Sequence, residues 1–252
     1  MIKKEWMKIV SVDKIAKDSY EMILENEYIS THAVPGQFLH IAVPGHTLRR
    51  PISIAAVDKQ AHTTTILFKT VGSGTESLAI YEIGTELDVL GPAGKGFPVE
   101  NLHEGASVLL IGGGIGVPPI YFLATELKKR GITLQFILGF QSQAYMFYEK
   151  KFQELGETII VTDDGSYGEK GFVTDVIGQV APFDRYYSCG PLPMLKTVKN
   201  KLPHIEGYLS FEERMGCGVG ACFACVVPTN DQKGYKKICQ DGPVFAADEV
   251  IL

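Results

Sequence analysis

Four cysteines near the carboxyl end, Cys217, Cys222, Cys225 and Cys239, are spaced C-x4-C-x2-C-x13-C, and no other feature restricts this chain so sharply. The first two intervals are those of plant-type [2Fe–2S] ligation, where two thiolates serve each iron. Gly216, Gly218 and Gly220 let the backbone curl closely, so that amide N–H groups can face the sulfurs. The competing reading is a structural zinc site, but its four cysteines usually come as two short pairs. Three contiguous ligands and a lone fourth favour iron–sulfur. With Cys189 the set is odd and crowded toward one end, which does not suit a disulfide framework. Residues 206–252 show little periodicity, and such a segment needs more than an apolar core to order it; a metal centre supplies that.

The remaining chain is ordinary globular sequence. Its 252 residues suggest two domains and a small appendix. A net charge of -5 argues against a nucleic-acid partner. The N-terminus lacks an apolar signal region. The most apolar stretch, 108–127, is broken by Gly112, Gly113, Gly114, Gly116, Pro118 and Pro119, unlike a membrane span. A cytoplasmic protein without a membrane partner is the expectation.

Rhythm divides the chain into three units: 1–103, 104–205 and 206–252. In the first, β-rich runs at 38–43, 63–71 and 86–90 are separated by Gly/Pro turns, which predicts a small antiparallel barrel with one helix at 75–81. In the second, strands at 107–111, 133–139, 158–162 and 185–189 alternate with helices at 118–129, 145–155, 172–180 and 193–201. That order predicts a parallel sheet covered on both faces.

Two blocks carry candidate binding chemistry. In Arg50-Pro51-Ile52-Ser53 a cation, a flat apolar side chain and a hydroxyl share one extended segment, able to clamp a pyrophosphate, cover an aromatic ring and bond its edge. Alone, such residues on a barrel strand are more often plain surface. Gly72-Ser73-Gly74-Thr75 at a helix start, with Thr75 as the expected N-cap, is either an anion site or a simple capped turn. Gly112, Gly113, Gly114 and Gly116 follow a strand and open a helix, the setting for a nucleotide phosphate, although Val117 replaces the last glycine of the usual fingerprint. Cys189 and Gly190 end a late strand; Cys189 either approaches a nicotinamide or is a buried small apolar residue. Asp163, at another strand end, is placed to bond ribose hydroxyls and to repel a 2′-phosphate, favouring NAD over NADP.

The succession barrel, R-P-I-S, G-S-G-T, G-G-G-I-G-V-P and C-G-P resembles the ferredoxin–NADP reductase superfamily over about 200 residues. With R-R-P-I-S-I, D-G-S-Y-G-x-K-G-F-V-T-D, E-E-R-M-G-C-G-V-G-A-C and the cysteine tail, the whole chain resembles the electron-transfer subunits of class 1B dihydroorotate dehydrogenases. That resemblance implies an N-terminal FAD-binding barrel, an NAD-binding α/β unit and a C-terminal [2Fe–2S] unit. It implies FAD contacts from Arg50, Pro51, Ile52, Ser53, Leu67, Phe68 and Lys69, with Gly74 and Thr75 at the pyrophosphate, and ligation by the four tail cysteines. It also implies a partner subunit holding FMN, where dihydroorotate becomes orotate, in a heterotetramer of two of each chain. Ile52 stands where the wider superfamily has an aromatic residue.

The centres make sense as a relay, since flavin alone of the three handles both hydride and single electrons. The rival readings are a general NADH-dependent reductase subunit for an oxygenase, hydrogenase or sulfite reductase, and a zinc-stapled interaction module.

Overall fold

The structure is a computed structural model and describes residues 2–252. The first unit contains β1 (Lys3–Ala16), β2 (Ser19–Glu25), α1 (Glu27–His32), β3 (Phe38–Ile41), β4 (Arg50–Asp58), β5 (Thr63–Lys69), α2 (Ser73–Ala79) and β6 (Glu86–Ala93). Its six strands close into an antiparallel barrel in the order β1-β2-β5-β4-β3-β6. Period-two alternation sends Met7 and Ile9 of β1, Met22 and Leu24 of β2, and Ile66 and Phe68 of β5 into one interior cluster. Helix α1 starts where the Asn26 side chain accepts the Ile29 N–H at 2.9 Å, a cap worth about 1 kcal/mol. Closure leaves no open sheet edge.

The second unit contains β7 (Ser107–Gly113), α3 (Val117–Lys129), β8 (Thr133–Phe140), α4 (Glu149–Gln153), β9 (Glu157–Thr162), β10 (Glu169–Lys170), β11 (Arg185–Cys189), α5 (Leu192–Lys201) and β12 (Glu206–Ser210). The tail adds β13 (Val226–Pro228), β14 (Tyr235–Lys237), α6 (Ile238–Asp241) and β15 (Val244–Ala246). One sheet runs β10-β9-β8-β7-β11-β12-β15; its pairs are parallel except β12 with β15. Strand β7 shows why it sits centrally. Val108 and Leu110 enter the cluster under α3, while Leu109 and Ile111 enter the opposite one, which holds Leu195 and Val198 of α5. A strand covered on both faces reads as a near-continuous apolar run.

Three expectations change. The helix expected at 145–155 becomes a 3-10 turn at Gln143–Tyr145 and the short α4. Tyr148 between them is left-handed, at φ 66, with its hydroxyl donating to Glu21 of the barrel and its ring against Tyr121. Tertiary contacts override helix propensity there. The helix expected at 172–180 becomes two 3-10 turns, Val173–Asp175 and Ile177–Gln179. Three valines and Gly178 favour helix weakly, and burial of Val173 and Val176 fixes the segment instead.

The third change concerns the tail. Strand β12 begins past the expected 205/206 boundary yet pairs with β11, and β15 returns to pair with β12. Leu209, Met215, Cys225, Val227, Cys239 and Phe245 share a core with Ile111 and Leu195. The tail is therefore anchored by apolar packing as well as by whatever its thiols hold. Among the described residues no helix is long and apolar enough to cross a membrane.

Candidate functional site

A cleft of about 480 Å³ opens between the barrel and the start of the tail, within the size range of small-molecule sites. Arg50, Pro51, Ile52 and Ser53 of β4, Leu67, Phe68 and Lys69 of β5, and Thr75 of α2 all line it. Gly74 does not, but it governs the cleft from behind. A β-carbon on Gly74 would lie 2.2 Å from Arg50 Nε, so only glycine lets the guanidinium lie along the start of α2. Arg50 Nη1 donates to the Leu48 carbonyl, which steadies the fork. Thr75 is not the N-cap; Gly72 is, and Thr75 is the third helical residue. Its hydroxyl accepts the Val71 N–H at 3.0 Å and donates to the Gly72 carbonyl at 3.1 Å, closing the turn.

The sequence reading missed the opposite wall. Phe211, Glu212, Glu213, Arg214 and Met215 line the cleft, as do Phe38, Ile115 and Pro243. Residues 211–215 get there because β12 ends at Ser210 beside the C-terminal end of β11, delivering the next residues into the cleft. Glu212 stays open to solvent in the cleft, yet the protein atoms crowded around its carboxyl desolvate it and push it up from its ordinary range. The E-E-R-M run just before Cys217 was the available signal, but only the placement of β12 gives it meaning.

Sheet register puts Gly112, Cys189 and Ser210 in one row, at the edge where parallel sheets bind ligands. The glycines after β7 divide into two jobs. β-Carbons on Gly113 and Gly116 would fall 2.5 Å from Met194 Sδ and 2.3 Å from the Cys189 carbonyl oxygen; those two serve close packing against the turn after β11. Gly190 is equally tight, 2.5 Å from Met194 Cε, and Gly112 lies under Val117. Gly114 alone has φ +54 with open space beside it, so its backbone is the part a phosphate can approach. Cys189 is wholly buried. Burial pushes its thiol up, with the Glu212 charge adding and a hydrogen bond to Ser210 opposing. Of its two readings, the buried small residue describes its place. Asp163 is exposed at the end of β9, two strands from β7, with its N–H on the Phe140 carbonyl; the carboxylate of Asp164 is instead taken up by Ser166.

All five cysteines are free thiols. The N–H groups of Val219, Ala221 and Cys222 point at Cys217 Sγ, at 3.5, 3.2 and 3.3 Å, and that of Gly220 points at Cys239 Sγ at 3.3 Å. Partial burial pushes the Cys217 thiol up, but these amides together with the Cys222 thiol outweigh it and bring it to about 6. Cys239 is pushed up to about 12 by burial and by the neighbouring Cys225 thiol. Cys222 thus sits close enough to shift the Cys217 thiol, and Cys225 and Cys217 close enough to shift that of Cys239. Among the described residues no three His, Cys, Asp or Glu side chains gather as one ion would need. Four neighbouring thiols with amides aimed at two of their sulfurs fit a two-iron centre, with two thiolates per iron.

Comparison with known proteins bears on these sites. Residues 212–251 match the family model described as the iron-sulfur cluster binding domain of dihydroorotate dehydrogenase B. The chain is 51% identical over 258 residues, covering 100% of both chains, to the dihydroorotate dehydrogenase B (NAD(+)), electron transfer subunit of Lysinibacillus sphaericus. It is 51% identical over 250 residues to the subunit of that name from Shouchella clausii, covering 97% of this chain and 96% of the relative. Among solved structures, a chain from a study of the NADH-dependent reduced ferredoxin-NADP oxidoreductase superposes with a TM-score of 0.89 at 30% identity, covering 97% of this chain and 89% of that one. An Amycolatopsis cytochrome P450 reductase superposes at 0.69 with 23% identity, covering 79% and 65%, a likeness of fold alone.

Proposed function

The chain belongs to the family of dihydroorotate dehydrogenase B (NAD+) electron transfer subunits, and from that premise we propose how its own residues serve the relay. The subunit carries FAD, a [2Fe–2S] centre and NAD(H), and it joins a catalytic subunit that oxidises dihydroorotate for pyrimidine (UMP) synthesis. Electrons pass from that subunit's FMN through the iron–sulfur centre and FAD to NAD+, because flavin exchanges hydride with nicotinamide and single electrons with the centre.

In our reading Arg50 clamps the FAD pyrophosphate beside Gly74 and Thr75, while Pro51, Ile52, Ser53, Leu67, Phe68 and Lys69 shape the ring site. Gly112, Gly113, Gly114 and Gly116 form the nicotinamide nucleotide's phosphate turn, with Gly114 as its open face, Gly190 as the packing partner and Asp163 for a ribose. Cys189 supports this turn from beneath. Cys217, Cys222, Cys225 and Cys239 hold the irons. We divide the chain into 1–103, 104–205 and 206–252, place it in the cytoplasm, and assign two copies of each subunit to the assembly.

One observation carries the reading: the cleft and the cysteine loop are joined through very short stretches of chain. Phe38 lines the cleft and His40, two residues on, abuts Gly218 of the loop; Met215 lines the cleft and Cys217 follows two residues later. Two extended residues span roughly 7 Å, so a flavin in the cleft and irons on the loop are close neighbours. Cys222→Ser tests it. The variant is expected to lose the iron–sulfur absorbance and its reduced-state EPR signal while retaining FAD and NADH–dye reductase activity. A variant that keeps the centre intact contradicts the ligand set.

A further inference from the structure

His40, on β3, is fully buried, and neither ring nitrogen has a hydrogen-bond partner among the described residues. Buried polar atoms are rarely left so. Its backbone is well held: β3 pairs with β4 and β6 on either side, and Arg49 Nη1 donates to the His40 carbonyl at 3.3 Å. The side chain is therefore aimed by a fixed strand, and its target is the cysteine loop. A β-carbon on Gly218 would lie 2.2 Å from His40 Nδ1. Gly218 directly follows Cys217, is buried, and has φ +68. The loop excludes a side chain at this position and receives an imidazole there instead.

We propose that His40 donates a hydrogen bond from its ring N–H to a sulfur of the iron–sulfur centre, holding the centre's reduction potential up. This rests on the reading of the four cysteines as the centre's ligands. Backbone amides already serve Cys217 and Cys239; His40 adds a side-chain donor from the barrel. Lys237 is engaged elsewhere on the loop, donating to the Gly220 carbonyl at 2.6 Å. Burial first, and the Arg49 charge second, hold the His40 pKa down at about 4, so the ring is neutral and presents one N–H. A donor to cluster sulfur favours the reduced, more negative state. Because Phe38 of the same strand walls the flavin cleft, β3 both shapes the flavin site and tunes its electron partner.

The test compares the assembled wild-type complex with His40→Leu and His40→Asn. Leucine removes the donor without breaking any protein hydrogen bond, and asparagine keeps an N–H near the place of Nδ1. Iron and sulfide contents establish that the centre is loaded, and EPR-monitored reductive titration gives its potential. The expected result is a lower potential in His40→Leu, with partial recovery in His40→Asn. An unchanged potential in a fully loaded His40→Leu complex overturns the proposal. Should leucine prevent assembly, pulsed EPR of the reduced wild-type centre with and without 15N-histidine decides: a histidine nitrogen coupling is expected, and its absence overturns the proposal. A wild-type protein lacking any iron–sulfur signal would instead count against the ligand reading itself.

Discussion

At the scale of single residues, the cleft proposed for the flavin depends on a missing side chain as much as on present ones. Arg50 lies along the start of α2 only because Gly74 has no β-carbon. A charge-assisted hydrogen bond to phosphate is worth roughly 1.5–3 kcal/mol, about a tenfold to hundredfold change in affinity. Arg50→Ala is therefore expected to weaken FAD retention by about that factor, and Gly74→Val to approach it by displacing the guanidinium. The FAD-to-protein ratio after gel filtration and the FAD dissociation constant measure both. A wild-type affinity in Arg50→Ala would remove the clamp. The sequence made Arg50 and Gly74 visible as separate signals, a cation on a strand and a glycine before a helix. Their contact, and the true role of Thr75 as a residue of the first turn, needed coordinates. Glu212 carries no signal of its own in the sequence: only the end of β12 puts it on the cleft wall.

At the scale of elements, legibility followed burial pattern. The run at 185–189 is buried at every position, and β11 has those bounds. Short segments with mixed signals went astray, since 145–155 and 172–180 are shaped by contacts distant in sequence. Strand β12 was missed because five residues between a helix and a glycine-rich loop carry too little period to announce themselves. The turn after β7 shows the same boundary between pattern and packing: four glycines look alike in sequence but not in space. Gly116→Ala would drive a β-carbon to within 2.3 Å of the Cys189 backbone oxygen, which cannot give way cheaply. Overpacking of this kind costs about 1–3 kcal/mol, so the melting temperature is expected to fall along with NADH affinity. Gly114→Ala has room but must hold φ +54, at about 1–2 kcal/mol of local strain. It is expected to weaken NADH binding with a smaller loss of thermal stability. Equal melting losses in the two variants would show that the division of labour within the turn is wrong.

At the scale of the whole molecule, the cysteine-bearing segment is no detachable appendix. It begins at β12 and ends with β15 of the same sheet, and its core residues are shared with the α/β unit. The same chain also forms one wall of the flavin cleft. The cleft, the glycine turn after β7 and the cysteine loop therefore sit on one continuous scaffold. Dihydroorotate oxidation belongs to the partner. The purified chain, loaded with FAD and iron–sulfur, is expected to reduce a dye or ferricyanide with NADH. It is expected to show no dihydroorotate-dependent reduction of NAD+ or dye until the catalytic subunit is added. Anaerobic stopped-flow spectra, with flavin bleaching followed at one wavelength and the iron–sulfur band at another, separate the two halves of the relay. Bleaching of the isolated chain by dihydroorotate would mean that the substrate is oxidised here, and the assignment of that step to a second subunit would fail.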